Sequence, residues 1–369
     1  MPLSHSNRSE LVSVCYLILL LSLVCLPLAA CQDQASEKPS TSSTAILPPQ
    51  PDTINWVQVY FSDPTGPNAE TLRGGPDKFL ADAIRRARLS VDVAVYDLDL
   101  WSIRDALLEA FRRGVEVRMV TDSDNLEEKE IQELKDAGIA VLGDRSQGLM
   151  HHKFTVIDGQ DVWTGSMNYT LNSAYRNDDN LIHIHSPELA VDYTTEFNEM
   201  FVEDRFGPKS LANTPQPNLI IDGSPVEVYF SPDDGVEAHI VELIRSAGKS
   251  IKFMAYSFTS DKIGQAMVKK SQEGVQVSGI FEEEQTRSNR GTEYDRLDVA
   301  GLDIHLDGNP RNMHHKVIII DDAIVITGSY NFSNNAETSN DENLLVIHDP
   351  QVAAYYAKEF QRVISQSQP

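Results

Sequence analysis

The 369-residue chain has only three cysteines, Cys15, Cys25 and Cys31, all near its start. Nothing beyond them can build a disulfide framework or a cysteine-based metal site. Positive charge is scarce as well: 31 Lys and Arg stand against 55 Asp and Glu, a formal net charge of −24. This excludes a broad surface attraction for nucleic acid or an anionic membrane, while leaving room for a local basic pocket. Long apolar runs are absent except for "LVSVCYLILLLSLVCLPLAA" at residues 11–30. With 41% hydrophobic and 23% charged residues the remainder reads as globular, and its length suits about two domains.

The apolar run follows a short segment bearing Arg8 and ends in small residues, the layout of a secretory signal rather than of a permanent anchor. Leu28-Ala29-Ala30-Cys31 resembles the lipobox of bacterial lipoproteins, which implies cleavage of residues 1–30 and lipidation of Cys31. Cleavage removes Arg8 and Glu10 together, so the net charge stays at −24. Residues 31–54, rich in Ser, Thr, Pro and Gln, cannot bury enough apolar surface to fold and are expected to form a flexible tether. The same resemblance implies export and a lipid anchor in the cell envelope. Gln32 after the cysteine favours the outer membrane where the host has one, and the cell membrane otherwise.

From about residue 56 the chain runs through one cycle of elements and repeats it. "VQVYFSD" returns as "VEVYFSP", "SVDVAVYDL" as "SIKFMAYSF", and "RRGVEVRMV" as "QEGVQVSGI". Short β-branched runs alternate with helical patterns such as "DKFLADAIRRAR", which predicts an α/β fold. We expect two α/β/α sandwich units with mixed central sheets related by a pseudo-twofold axis. The units would span 55–207 and 226–369, joined by a linker at 208–225.

Both cycles carry the same polar pattern, H-x-K-x4-D-x6-G-S-x-N. In the first copy it falls on His151, Lys153, Asp158, Gly165, Ser166 and Asn168; in the second on His314, Lys316, Asp321, Gly328, Ser329 and Asn331. Strand alternation puts His151 with Lys153, and His314 with Lys316, on one face. His152, His315, Asp158 and Asp321 fall on the other, where packing or a structural role is expected. The turn after each aspartate would return Asn168 and Asn331 beside the histidine and lysine. The Gly-Ser pairs allow a close backbone approach, a serine cap and free N–H groups for a phosphate oxygen. Tyr96, Tyr256 and Phe258, on presumed core strands, are expected to pack. The segment "EEEQTRSNRGTEYDR", with Arg287, Arg290 and Arg296, reads as a solvated loop.

The doubled motif resembles the phospholipase D superfamily, over essentially the whole chain beyond the tether. The resemblance implies one site built from both copies, so a monomer suffices. It also implies that Asp179 and Glu342, in "RNDDNLIHI" and "SNDENLLVI", each hydrogen-bond a catalytic imidazole. His151 is then the nucleophile and His314 the general acid, while Lys153, Lys316, Asn168 and Asn331 hold the non-bridging oxygens. The pseudo-symmetry leaves the reverse order open. No cofactor is implied, and no metal, because the histidines lack companion ligands. The expected activity is hydrolysis of a glycerophospholipid at a membrane to phosphatidic acid and a head-group alcohol. Its rivals are a nuclease acting on nucleic acid, a cardiolipin synthase-like phosphatidyltransferase and a non-enzymatic surface-binding lipoprotein.

Overall fold

The computed structural model describes residues 52–367, so the expected signal segment, the lipidation site Cys31 and most of the tether lie outside the described residues. The first sheet contains β1 (Asp52–Ile54), β2 (Val57–Phe61), β3 (Ser90–Val95), β4 (Glu116–Thr121), β5 (Ala140–Gly143), β6 (Lys153–Ile157), β7 (Asp161–Gly165) and β8 (Asn180–His185). Its order is β1-β2-β8-β7-β6-β3-β4-β5. The second contains β9 (Asn218–Ile221), β10 (Ser224–Ser231), β11 (Ser250–Ala255), β12 (Gln276–Phe281), β13 (Asp303–Leu306), β14 (Lys316–Ile320), β15 (Ile324–Gly328) and β16 (Glu342–His348). It runs β9-β10-β16-β15-β14-β11-β12-β13, the same topology one repeat later. The pairs β3–β4, β4–β5, β11–β12 and β12–β13 are parallel. The hairpins around β6–β7 and β14–β15 are antiparallel, so both sheets are mixed as expected. Strand formation extends slightly further than the sequence suggests: β1 lies inside the expected tether and β9 inside the expected linker.

Both faces of each sheet are covered, which is why "KFTVI" and "KVIII" are buried at every position. Outer helices such as Pro76–Arg86 and Trp101–Arg112 cover the first sheet, burying Leu80, Ile84, Ile103 and Leu107. Helices Val236–Ser246 and Asp261–Gln272 do the same for the second. The inner faces meet around two long helices, Pro187–Phe201 and Pro350–Ile364, each started by a capping side chain, Ser186 or Asp349, and a proline in the first turn. They share one hydrophobic core that draws on both repeats. Tyr193 packs edge-on against Phe154 of its own repeat and Phe230 of the other, and Tyr356 against Phe61 across the seam.

The second histidine of each pair belongs to this seam. His152 Nε2 meets Glu196 Oε1 at 3.0 Å, and His315 Nε2 meets Glu359 Oε1 at 3.0 Å, with both imidazoles fully buried. The repeats differ one helical turn further on. Arg362 bonds Glu359 and also reaches Asp178, whereas Glu199 occupies the matching place in the first repeat. Burial and the nearby Glu199 and Asp234 therefore push the Glu196 carboxyl well up, whereas Glu359 is held below its usual value against burial by Arg362 and His315.

Arg362→Met strands two buried acids and is expected to cost about 3 kcal/mol. Glu199→Gln, which removes a charge from a crowded acidic group, is expected to be neutral or to stabilise by up to about 1 kcal/mol at neutral pH. Urea midpoints at constant slope measure both.

Candidate active site

The two motif strands, β6 and β14, begin at their lysines, so each histidine sits just outside its strand at the mouth of a cleft between the repeats. Backbone pairing across the seam fixes them. Met150 pairs with Asp341 and Asp178 with Met313 in isolated parallel bridges, with His151 N–H donating to Asp341 O and His314 N–H to Asp178 O, both at 2.9 Å. These bridges set each acid beside the histidine of the other copy. His151 Nδ1–H donates to Glu342 Oε2 at 2.9 Å and His314 Nδ1–H to Asp179 Oδ1 at 2.8 Å. An acid following its own histidine thus serves its partner's, a crossing that linear order does not suggest. With Nδ1 occupied, Nε2 is the reactive nitrogen on both rings.

Lys153 and Lys316 are fully buried between the histidine main chain and a tyrosine ring. Their ammonium groups donate to His151 O at 2.8 Å and His314 O at 2.7 Å. Each lies over a ring, Tyr96 at 5.4 Å and Tyr256 at 4.7 Å. The same rings flank His151 and His314 with centroids 5.2 and 4.6 Å away. Tyr96 and Tyr256 are therefore half-buried cleft walls, not the core residues expected. Phe258 is buried in the second repeat's outer core, as expected. Asn168 and Asn331 face each other across the cleft, and the Oδ1 atom of each is buried without a hydrogen-bond partner among the described residues.

The Gly-Ser pairs act differently from the expectation. At Gly165 and Gly328 the backbone takes φ of 140° and 143°, and a Cβ there would meet the carbonyl of Asn180 or Asn343 at 2.4 or 2.3 Å. The Ser166 and Ser329 N–H groups are spent on those same carbonyls, so they are not free for an anion. Ser166 Oγ instead donates to Asp179 at 2.7 Å, and the next helix is capped by Thr170. Asp158 and Asp321 do hold structure: each accepts three backbone N–H groups of the turn before β3 or β11. Two residues escaped sequence reading. Asn180 and Asn343 bridge the repeats, Asn180 to His315 and Thr327, Asn343 to Thr164 and Tyr193. Their signal was repetition beside each acid. The segment read as a solvated loop contains two short helices and brings Gln285 to the cleft, while Arg287 pairs with Glu283 and Arg296 with Asp261.

The cleft, about 430 Å³, is walled mostly by carboxamides and hydroxyls. Its electrostatics follow from burying two ammonium groups together. Burial lowers the Lys153 pKa to about 7, helped by Lys316, and that of Lys316 to about 8. Burial and the adjacent lysines hold His151 well below its usual value and bring His314 to about 4, although Asp179 opposes the fall. The two acids diverge. Burial raises Glu342 to about 7 despite Lys153, whereas for Asp179 the contact with His314, helped by Lys316 and the Ser166 hydrogen bond, outweighs burial and holds it below its usual value. Among the described residues no group of three His, Cys, Asp or Glu side chains is arranged for a metal.

A doubled His-x-Lys site at the seam of two mixed-sheet repeats is that of the phospholipase D superfamily. A family model described as cardiolipin synthase, PLD-like domain, matches residues 80–201 and 240–364, and the chain belongs to that family. Among similar proteins, phospholipase D of Rickettsia bellii is 40% identical over 125 residues, 33% of this chain and 62% of that one. The mitochondrial cardiolipin hydrolase of Xenopus tropicalis is 37% identical over 120 residues, 32% of this chain and 57% of that one. The chain thus spans less than two thirds of the length of these relatives. Phosphatidylserine synthase of Haemophilus influenzae shares the fold, with a TM-score of 0.61 over 84% of this chain and 86% of that one at 17% identity.

Anion binding should report the lysine charges. As pH falls from about 9 to about 6, Lys316 and then Lys153 gain a proton and Glu342 loses its charge, so each step makes the cleft more positive. Dimethyl phosphate, whose own charge is constant over this range, should bind progressively tighter. Calorimetry on Lys153→Met and Lys316→Met should show the corresponding step missing.

Proposed function

We propose that the chain hydrolyses a glycerophospholipid to phosphatidic acid and a head-group alcohol through a phosphohistidine on His151. The observation that carries the order of steps is the unequal backing of the two histidines. Asp179, held below its usual value, favours an imidazolium at His314, while Glu342, raised to about 7, backs His151 with less negative charge and favours a neutral nucleophile there. Burial and Lys316 lower the His314 pKa to about 4, and an incoming phosphodiester anion, by balancing the lysines, favours its protonation.

In the first step the His151 Nε2 lone pair forms a bond to phosphorus. The bond to the head-group oxygen breaks, and that oxygen takes the proton of His314 Nε2. In the second, water attacks phosphorus and gives its proton to His314, and the P–N bond returns its electrons to His151. Lys153, Lys316, Asn168 and Asn331 hold the non-bridging oxygens where charge develops. The sole aliphatic wall is Leu149, so phosphate and head group enter while acyl chains stay in the bilayer. A net charge of −24 opposes a polyanionic strand. Export and a lipid at Cys31 would hold the enzyme beside such a substrate.

Alkaline quenching during turnover of phosphatidylglycerol vesicles labelled in the phosphate should leave label on the wild type and on His314→Ala, and none on His151→Ala. Label that depends on His314 reverses the order. Cleavage of single-stranded DNA without lipid turnover removes the substrate assignment.

A further inference from the structure

Glu342 and Asp179 serve the two motif histidines alike, but a different second contact holds each of them. Asp179 Oδ1 also accepts from Ser166 Oγ at 2.7 Å, and its Oδ2 is buried without a partner among the described residues. Glu342, longer by one methylene, makes no bond to the matching Ser329, whose hydroxyl accepts from Asn343 N–H at 3.0 Å. Its Oε1 instead meets the side-chain amide of Asn340 at 3.1 Å. Asn177, the matching residue of the first repeat, lines the cleft and makes no side-chain hydrogen bond among the described residues.

Asn340 is buried, and its neighbours fix which way its amide points. Leu149 N–H donates to Asn340 Oδ1 at 3.1 Å, and a backbone N–H can only donate, so Nδ2 faces Glu342 and donates to it. The chain carrying Leu149 lies directly on the chain carrying Asn340. Asp341 N–H donates to Leu149 O at 2.9 Å, and a Cβ on Gly148 would meet Ser339 O at 1.9 Å. Leu149, Asn340, Glu342 and His151 thus form a closed ring of contacts, which ends in His151 Nδ1–H on Glu342 Oε2 at 2.9 Å.

An N–H aimed at Oε1 opposes a proton on that oxygen and favours the charged carboxyl. A proton on Oε2 would point at His151 Nδ1, which would move the ring proton to Nε2 and remove the lone pair that attacks phosphorus. We propose that Asn340 is a positioning residue for His151: by donating to Glu342 it fixes the ring tautomer that presents Nε2 to the phosphodiester. The inference rests on the proposed hydrolysis with His151 as nucleophile. Besides His151, the charged and titratable groups acting on the Glu342 carboxyl are Lys153, Lys316, His152 and Tyr330. Burial sets that carboxyl at about 7, and the Asn340 bond keeps it from rising further.

The test uses the full chain with Asn340→Ala and Asn340→Leu, the second because it leaves no gap in which a water could replace the amide. Nitrogen NMR of isotope-labelled histidines, without substrate, reads the tautomer directly, and His151→Ala assigns the His151 signals. The wild type should show the Nδ1–H form at His151, and both variants a substantial share of the Nε2–H form. Loss of the donor should raise Glu342, which ionises as pH rises, by about one pH unit. The variant-to-wild-type ratio of kcat/KM on phosphatidylglycerol vesicles should therefore fall about tenfold near pH 6.5 and return to within about threefold near pH 8.5. An unchanged tautomer, or an equal loss at every pH such as a merely structural defect gives, overturns the assignment while the hydrolase reading stands. A tautomer shift in a chain that turns over no phospholipid defeats the hydrolase reading and leaves the hold of Asn340 on His151 in place.

Discussion

Each motif histidine of the cleft is held by an acidic side chain from the other repeat, His151 by Glu342 and His314 by Asp179, and the rest of the architecture serves that exchange. The acids can reach across because the chain just before each of them pairs, backbone to backbone, with the chain just before the opposite histidine. Those bridges demand a fixed separation of the sheets. The shared layer of two long helices sets it, with Tyr193 packed against rings from both repeats and Tyr356 against Phe61 across the seam. Neither repeat alone would orient its own imidazole, so the site exists only when both halves have folded and docked.

Crossing also makes the halves unequal in a useful way. A symmetric pair of histidines would have no preferred division between nucleophile and acid. Here the shorter acid, Asp179, accepts from Ser166 as well as from His314 and stays ionised, while Glu342 sits deeper in its electrostatic cost and is raised. Asp in one copy and Glu in the other thus leave two otherwise matched rings backed by carboxyls shifted in opposite directions. The same inequality recurs behind the site, where Arg362 neutralises Glu359 and Asp178 and the first repeat has only further acids. A buried carboxyl is thus paired with an arginine in one half and pushed up by burial and neighbouring acids in the other.

Much of this was legible in the sequence because polar repetition is a stronger signal than apolar repetition. The spacing of His151, Lys153 and Asn168, repeated at His314, Lys316 and Asn331, specifies a strand, a turn and a returning strand, and the sheets follow it. Period-two alternation correctly separates His152 and His315 from the cleft. The expectation that Tyr96 and Tyr256 pack in core strands fails because they lie one residue beyond β3 and β11, at the cleft. Alternation also says nothing about which acid meets which histidine. That pairing depends on a twofold seam, and a local pattern carries no information about docking. The serines show a further limit: Gly165-Ser166 looks like a cap, yet the nearer buried carboxylate competes for the hydroxyl and wins.

The ammonium groups show how the fold turns burial into reactivity. Among the described residues Lys153 and Lys316 have no carboxylate in direct contact; their partners are carbonyl oxygens and tyrosine faces, both weaker than water as solvent for a cation. Such a pair is costly in an empty site, which lowers both pKa values and discourages protonation of the histidines beside them. A phosphodiester supplies the missing negative charge to both lysines at once. In the proposed reaction, binding energy gained there would restore the charge state that the imidazoles require, so the anion to be cleaved would also complete the site.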